Sequence, residues 1–504
     1  MPLSRSLRRI ITALLCALTL SPLVGFAEAV GALPLIQVHG PKFYAGEQEI
    51  RLQGSNLGNW LLQEDFMFGL YGTHSQMRGA MESVLGAQKT AAFWDEYENV
   101  FFTAKDAKFL ATQGYNALRV PLNQNRFEDP NKPGQYDETA LRRVDEVIRL
   151  CREQGIYVIL DLHAVMGGQS REIYADSLWG SPEFWRYADF RQRAADFWIA
   201  LVKRYKNETA VAGYDLSNEP NTEGRPALLM DWYRQLLPRI RAIDPSHVVW
   251  LVADDFGGGF KGLEEDLFTD PQTAFQFHMY PSQTFPIKKM TEYPQTIDGV
   301  RYDKAWLRQK LAEQIAFGKR KPVWLGEFGA SINRPGMPIS QAILNDMLAI
   351  CDEEGWSWTQ WSYKDVGQMG LLSPGPDTPW KRFLASTEIR AHLEKANELF
   401  SLRDMPTASP RLLRAKAQDV APDLDKATLS YASTSAQRNF ESILSRQILT
   451  HLKGLNEDAL RELARSFAFA SCLPNIALMD VFGREARSAA ASQFSRPAIN
   501  THTD

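Results

Sequence analysis

The sequence predicts an α/β architecture, a (β/α)8 barrel with a small helical C-terminal extension, on three observations. The first is a repeated unit: a helical apolar stripe, one glycine, then a short apolar run rich in β-branched or aromatic residues. "AKFLATQGYNALRVP", "EVIRLCREQGIYVILDLH" and "MLAICDEEGWSWTQW" all have it. Glycine just past a helix adopts the left-handed conformation cheaply, and the following run suits a strand buried on both faces. Strand, helix and strand in repetition make a parallel sheet with right-handed crossovers. The second is the number of such runs, about eight over roughly 330 residues, which closes a TIM barrel. The third is that polar residues stand at nearly every strand end, whereas a doubly wound sheet concentrates its site at one switch point.

Residues 1–29 stand apart. Arg5, Arg8 and Arg9 precede the apolar run "IITALLCALTL", and Ala27-Glu28-Ala29 offers a small-x-small cleavage site. This is the pattern of a secretory signal peptide, with an apolar core too short for a membrane span. An exported protein is expected, periplasmic or extracellular, whose mature chain is not inserted in a membrane. The barrel is expected over residues 30–400. Its strands fall near Arg51 to Ser55, Ala117 to Val120, Tyr157 to Leu160, Gly213 to Leu216, Val248 to Val252, Ala274 to Phe277, Val323 to Leu325 and Trp356 to Trp361. Two inserts, "LLQEDFMFGLYGTHSQMRGAMESVLG" and "GGQSREIYADSLWG", are expected to wall a cleft. Residues 401–504 read as a linker and a helical extension. Phe440, Ile443, Leu444, Ile448 and Leu452 form one stripe and Leu460, Leu463, Ala464 and Phe467 a second, with no chemical motif among them.

The 504 residues are 44% hydrophobic, 23% charged and 11% aromatic, ordinary globular composition with material for a large core. The formal net charge of −4 becomes more acidic once three Arg and one Glu leave with the leader, which disfavours a nucleic-acid partner. Cys151, Cys351 and Cys472 remain, too few and too odd for a disulfide framework. The first two are expected to pack in the core. Nothing in the sequence sets an oligomeric state.

Two glutamates end apolar runs: Glu219 in "GYDLSNEPN" and Glu327 in "PVWLGEFGA". Pro220 supplies no donor and biases its predecessor toward extended backbone, so Glu219 is expected at the last extended position of its strand. A carboxyl at the end of so apolar a run is costly unless something pairs with it or uses it. Cleaving a glycosidic bond needs two carboxyls, one to protonate the departing oxygen and one to attack the anomeric carbon or activate water. Across a barrel mouth the fourth and seventh strands lie nearly opposite, so these two side chains can converge on one bond.

The pieces "GSNLGNW", "ALRVP", "ILDLHA", "LSNEP", "FHMY", "WLGEFG" and "WTQWSYKD", in that order over about residues 50 to 365, resemble glycoside hydrolase family 5, the cellulase-like retaining β-glycosidases. The resemblance implies Glu219 as general acid/base and Glu327 as nucleophile, with Arg119, His163, Asn218, His278, Tyr280 and Trp361 at the carboxyls and the sugar. It implies a carbohydrate substrate, β-glucan-like or a β-glucoside, cleaved by double displacement without cofactor or metal. Chemistry agrees: Arg119 supplies a permanent positive charge to Glu327, and Asn218 can hydrogen-bond a sugar hydroxyl. Glu219 must hold a proton near neutral pH, which needs an apolar or negatively charged neighbourhood, and Glu327 is expected to supply that charge. "DLHAVMGGQS" is similar to the exo-β-1,3-glucanase branches, which points to a closed pocket, and Phe66, Met67, Phe68 and Leu70 are compatible with lipid-linked glucosides.

Two other readings use the same groove, a sugar-binding barrel without turnover and a transglycosylase. Retention of both glutamates with Arg119 and Tyr280 argues against the first. "GGGFKG", Gly257 to Gly262, has dinucleotide-fingerprint spacing, but Asp254 and Asp255 before it would repel a pyrophosphate, so a loop is expected. No Gly-x-Ser-x-Gly elbow and no His-Glu-x-x-His occurs, against serine-hydrolase and zinc-protease chemistry.

Overall fold

The computed structural model describes residues 32–483 apart from 261, 316–319, 331–336, 392–414 and 424–425. The expected leader and most of the linker-like stretch lie outside the described residues. Eight parallel strands close into one barrel: β1 (Gln53–Asn56), β2 (Ala117–Asn123), β3 (Tyr157–Ala164), β4 (Val211–Asp215), β5 (Val248–Leu251), β6 (Thr273–His278), β7 (Val323–Glu327) and β8 (Ser357–Gln360). β8 pairs with β1, so no edge is left open. Each strand falls within a few residues of its expected place.

Helices separate the strands as the repeated unit requires. The first insert carries α1 (His74–Leu85), and after it come α2 (Ala87–Val100), α3 (Ala104–Thr112), α4 (Glu138–Arg152), α5 (Ala188–Tyr205), α6 (Ala227–Arg241), α7 (Lys304–Gln314) and α8 (Met337–Glu354). Among the described residues between β5 and β6 the one helical element is a 3-10 turn, Glu265–Thr269. Gly155 and Gly355, just past α4 and α8, sit at φ +74° and +72°. A Cβ on either would meet nothing, so the left-handed backbone and not crowding is what calls for glycine.

The barrel interior is layered. At the N-terminal end Ile36, Val38 and Phe43, from an antiparallel sheet of Ile36–His39, Lys42–Ala45 and Gln48–Ile50, plug the opening and pack with Tyr157, Ile159, Trp250 and Trp324. Above this apolar layer the inward side chains turn polar. Cys151 and Cys351 are buried and free, as expected.

After α9 (Pro379–Ala385), the C-terminal part supplies α10 (Lys426–Leu449) and α11 (Glu457–Ala464), which pack on α1 and α2 respectively. Strand Cys472–Pro474 pairs with Leu372–Pro374. The buried Lys364 ammonium ties the parts together, donating to the carbonyls of Phe101 (2.6 Å) and Phe467 (3.1 Å) and to Asp106. The expected face of α10 is corrected. Ile448 and Leu452 are buried, but Phe440 and Ile443 are 46% and 58% exposed, and Thr434, Gln437, Arg438, Glu441 and Ser445 are buried instead. The reason is local: at Gln437, Arg438 and Glu441 the middle of α10 faces a cavity and not an apolar core.

Candidate active site

Strand side chains alternate between the helices and the barrel interior, and the inward positions near the C-terminal ends carry the polar set. Arg119 of β2 is fully buried at its centre. Its Nη1 donates to Glu327 Oε1 at 2.6 Å and Asn56 Oδ1 at 3.1 Å, and its Nε to Asp215 Oδ2 at 2.9 Å. Its Nη2 donates to Asn218 Oδ1 at 2.9 Å and lies 3.0 Å from Asp161 Oδ1. The Trp324 ring lies beneath the guanidinium, 5.7 Å from centroid to Cζ. Burial opposes the charge, but Asp161, Asp215 and Glu327 overcome it and hold Arg119 above its ordinary value. Burial also pushes Asp161 up to about 7, against the pull of Arg119, and raises Asp215.

Amide orientations fix the histidine tautomers. Asn218 accepts from Arg119 through Oδ1, so its Nδ2 donates to His163 Nε2 at 3.2 Å, and the ring hydrogen of His163 lies on Nδ1, 2.6 Å from Asp161 Oδ2. Gln276 donates its amide nitrogen to Asp215, which turns its Oε1 toward His278 Nε2 at 3.2 Å. The hydrogen of His278 is therefore on Nε2, and Nδ1 is an acceptor. Since His278 Nδ1 lies 2.7 Å from Glu219 Oε1, the proton between them belongs to the Glu219 carboxyl. Burial pushes both imidazoles down to about 3, consistent with neutral rings.

Glu219 departs from its expected conformation. β4 ends at Asp215, and Glu219 sits beyond it at φ +40°, in the left-handed region and not at an extended strand end. Gln169 overrides the bias of Pro220. Its Nε2 donates to the carbonyls of His163 (2.7 Å) and Asn218 (2.8 Å), and Asn221 N donates to its own carbonyl (2.9 Å). Such a backbone costs on the order of 1–3 kcal/mol and persists because its surroundings over-determine it. The Glu219 carboxyl is pushed up to about 7 by burial, partly offset by a hydrogen bond from the Tyr174 hydroxyl. Burial, and not the expected charge of Glu327, is the main cause.

Glu327, at the end of β7, accepts from Arg119 on Oε1 and from the Tyr280 hydroxyl on Oε2 at 2.7 Å. Ligand atoms of Glu219, His278 and Glu327 all lie within 4.8 Å of one another. A cation could in principle be held there, but the hydrogen bonds just described already engage all three groups.

The two carboxyls open onto a cavity of about 590 Å³, on which His163, Asn218, Tyr280 and Trp361 also lie. Arg119 and His278, expected beside the carboxyls and grouped with the substrate-binding residues, are not on its surface. They sit beneath the carboxyls, buried, Arg119 bonded to Glu327 and Asn218 and His278 to Glu219. Trp361 stacks on His163 with ring centroids 5.2 Å apart and planes at 17°, and packs with Met67 and Met369. The Trp361–Ser362 peptide is cis. Both inserts wall the cavity, the first through Glu64 to Phe66 and Gly69 to Tyr71, the second through Glu172, Ile173 and Tyr174. Asp254, partly buried, braces the segment after Glu219 by accepting from Thr222 N at 2.7 Å.

Sequence reasoning missed several wall residues. Glu64, raised well above the usual carboxylate range by burial and then by the charge of Glu327, was visible only as an acid interrupting an apolar run. Tyr174 stood unmarked inside its insert. Gln437, Arg438 and Glu441 of α10 line the cavity too, from a segment in which no chemistry was expected.

Residues 77–367 match the model of the cellulase family, glycosyl hydrolase family 5. The chain belongs to glycosyl hydrolase family 5. It is accordingly a glycoside hydrolase, and its barrel is that of the family. This family 5 chain is similar to a β-xylosidase of Phanerodontia chrysosporium, 29% identical over 87% of this chain and 95% of that one. A probable glucan 1,3-β-glucosidase A of Aspergillus fumigatus is 28% identical over 51% of this chain and 63% of its own length. A β-glucanase of Saccharophagus degradans, solved with cellotetraose, has 18% identity and a TM-score of 0.46, over 66% of this chain and 85% of that one.

Proposed function

We propose that the chain is a retaining β-glycosidase that removes a β-linked neutral sugar, glucose or xylose, from a glycoside or the end of a short glucan. The single observation that carries this is the pair of carboxyls. Glu219, proton-bearing and pushed up to about 7 by burial, is poised as acid, and Glu327, gripped by Arg119 and Tyr280, as nucleophile. One oxygen of each lies within 4.8 Å of one oxygen of the other. Retaining enzymes keep the two groups about 5–5.5 Å apart, whereas inverting ones need roughly 6.5–9.5 Å to fit a water. Glu327 attacks the anomeric carbon as Glu219 protonates the departing oxygen, and Glu219, now a base, activates the water that releases the sugar. Substrate choice is supported by the xylosidase and glucosidase names of the relatives, and end-on action by a cavity walled by two inserts and α10.

The test is anomer-resolved NMR with 4-nitrophenyl β-glucoside, 4-nitrophenyl β-xyloside and β-1,3- and β-1,4-linked glucose oligomers. The first sugar released is expected as the β anomer; an α anomer appearing first would overturn the mechanism. Export is part of the proposal and rests on the leader pattern of residues 1–29. N-terminal sequencing of the protein recovered outside the cytoplasm should begin near Val30, and an intact Met1 would count against it.

The acid must be protonated, so kcat/KM should fall as pH rises through about 7, the value to which Glu219 is pushed. The Tyr174 hydrogen bond favours the charged carboxylate, so Tyr174→Phe should raise that pKa further and move the alkaline limb to higher pH. A limb that stays put or moves down would remove Tyr174 from this role.

A further inference from the structure

An amphipathic helix ordinarily buries its apolar stripe. In α10 the order is reversed near the cavity: Phe440 and Ile443 face outward while Gln437, Arg438 and Glu441 are buried along the wall. The helix is clamped in that orientation. Ser445 Oγ donates to the Tyr71 carbonyl at 2.6 Å, Gln76 Nε2 donates to the Arg438 carbonyl at 3.1 Å, and the Tyr431 ring lies 4.5 Å from the Arg186 guanidinium. Within the wall, Glu441 accepts from Gln437 Nε2 at 2.7 Å and from Arg438 Nη1 at 2.8 Å.

The network does not close on itself. Arg438 Nη2 reaches the Arg171 carbonyl only at 3.5 Å, the outer limit of a hydrogen bond. Arg438 Nε and Gln437 Oε1 have no partner among the described residues, although both side chains are at least nine-tenths buried. A polar cluster kept for stability alone would satisfy these atoms. Breaking the packing rule and the hydrogen-bond rule at one place marks a functional surface. The charge around it selects the ligand: Glu64, Asp65, Glu172, Glu219, Glu327 and Glu441 line the cavity, and Arg438 is the one Lys or Arg among its described lining residues. Burial holds Glu64 and Glu219 toward their neutral forms, but Asp65, Glu172, Glu327 and Glu441 still outnumber Arg438 along the lining, an acidic excess that disfavours a uronate or a sugar phosphate and leaves a neutral polyol.

We propose that α10 is a specificity wall of the substrate site, in which Arg438, held by Glu441, turns its planar fork to a hydroxyl pair of a neutral pyranose beside Gln437. This rests on the reading of the cavity as the glycoside site. Arg438 and Gln437 are specificity-determining residues and take no part in bond breaking. A guanidinium fork grips two neighbouring acceptors where an ammonium grips one, so Lys does not replace it.

The test uses the full chain with Arg438→Lys, which keeps the charge that Glu441 pairs with, and Gln437→Leu. Ile443→Ala on the exposed face serves as control, and thermal unfolding is followed for all three. Substrates are 4-nitrophenyl β-glucoside, 4-nitrophenyl β-xyloside and their monodeoxy analogues. In the parent, loss of one hydroxyl is expected to cost about tenfold or more in kcat/KM, carried by KM. In Arg438→Lys and Gln437→Leu that penalty should shrink to less than about threefold, while Ile443→Ala keeps it. Equal penalties in parent and variants overturn the proposal, as does a uniform loss over all analogues. The same panel is titrated calorimetrically into Glu219→Gln and Glu219→Gln/Arg438→Lys. A parent that cleaves none of the glycosides refutes the hydrolase reading, whereas retention or loss of the hydroxyl penalty in binding decides the role of Arg438 separately.

Discussion

Replacing Glu327 by glycine will leave a folded barrel whose turnover of activated aryl β-glycosides falls by on the order of 10⁵- to 10⁶-fold, the size expected when a covalent nucleophile is lost. Glu327 lies at the end of β7, only 4% exposed, with both oxygens occupied by Arg119 and Tyr280, so its removal deletes the attacking atom and leaves a hole on that face of the sugar. Azide is small enough to enter the hole. It should restore part of the rate and yield the α-glycosyl azide, because it attacks from the face Glu327 has vacated. Glu219→Gly should lose less on substrates with a good leaving group, about 10²- to 10⁴-fold for a general acid, and azide should there give the β-glycosyl azide. NMR of the two azide products checks both assignments at once. The opposite pairing of anomers would exchange the roles of the two glutamates, and full activity in either variant would refute them.

The second large effect is on stability. Arg119→Leu removes the one cation from a buried cluster in which Asp161, Asp215 and Glu327 lie within 3.0 Å of it. Breaking a buried pair from one side typically costs about 3–5 kcal/mol, because the partner charges are left uncompensated. Here three acids lose their counter-charge, so Arg119→Leu should be destabilised by at least about that much, with little activity at any pH. Denaturant unfolding of parent and variant measures it. Unchanged stability would mean that the acids accommodate the loss by protonation alone. The pH dependence offers a cross-check with a definite sign. Asp161, pushed up to about 7 by burial, prefers its neutral form in the fold more than in the unfolded chain, so its contribution is present at low pH and lost as pH rises through about 7. Without Arg119 to pull it down, that loss should grow at neutral and alkaline pH.

Much of this site was readable from residue order. The apolar runs ending in Asn218-Glu219 and at Glu327 announced both carboxyls, since a buried strand tolerates a terminal acid only for use or pairing. The strands were readable because a run buried on both faces leaves a local signature, and Gly155 and Gly355 marked where helices end. Other features left no such trace. The φ of Glu219 is imposed by Gln169, fifty positions earlier in the chain and from another loop, against the local preference that Pro220 exerts. Arg119 and His278 read as neighbours of the carboxyls, from the resemblance to family 5, and were grouped with the residues that hold the sugar. Only the depth of the mouth places them under the carboxyls.

The C-terminal helix makes the same division most sharply. Its helical character followed from a 3.6-residue spacing of apolar side chains, and the spacing is real, but the face it buries is set by what stands opposite. Across from Gln437 and Arg438 that is a cavity, whereas Ile448 and Leu452 meet packed core. By itself the sequence determined the barrel, its strand order and the identity of its two central carboxyls, because each rests on short-range periodicity or on one side chain's cost of burial. Tertiary structure alone decided that Glu64, Tyr174 and α10 wall the cavity, which histidine nitrogen carries a hydrogen and how far apart the carboxyls stand. Those depend on hydrogen bonds between residues as distant in sequence as Arg119 and Glu327, which exist only once the sheet has closed on itself.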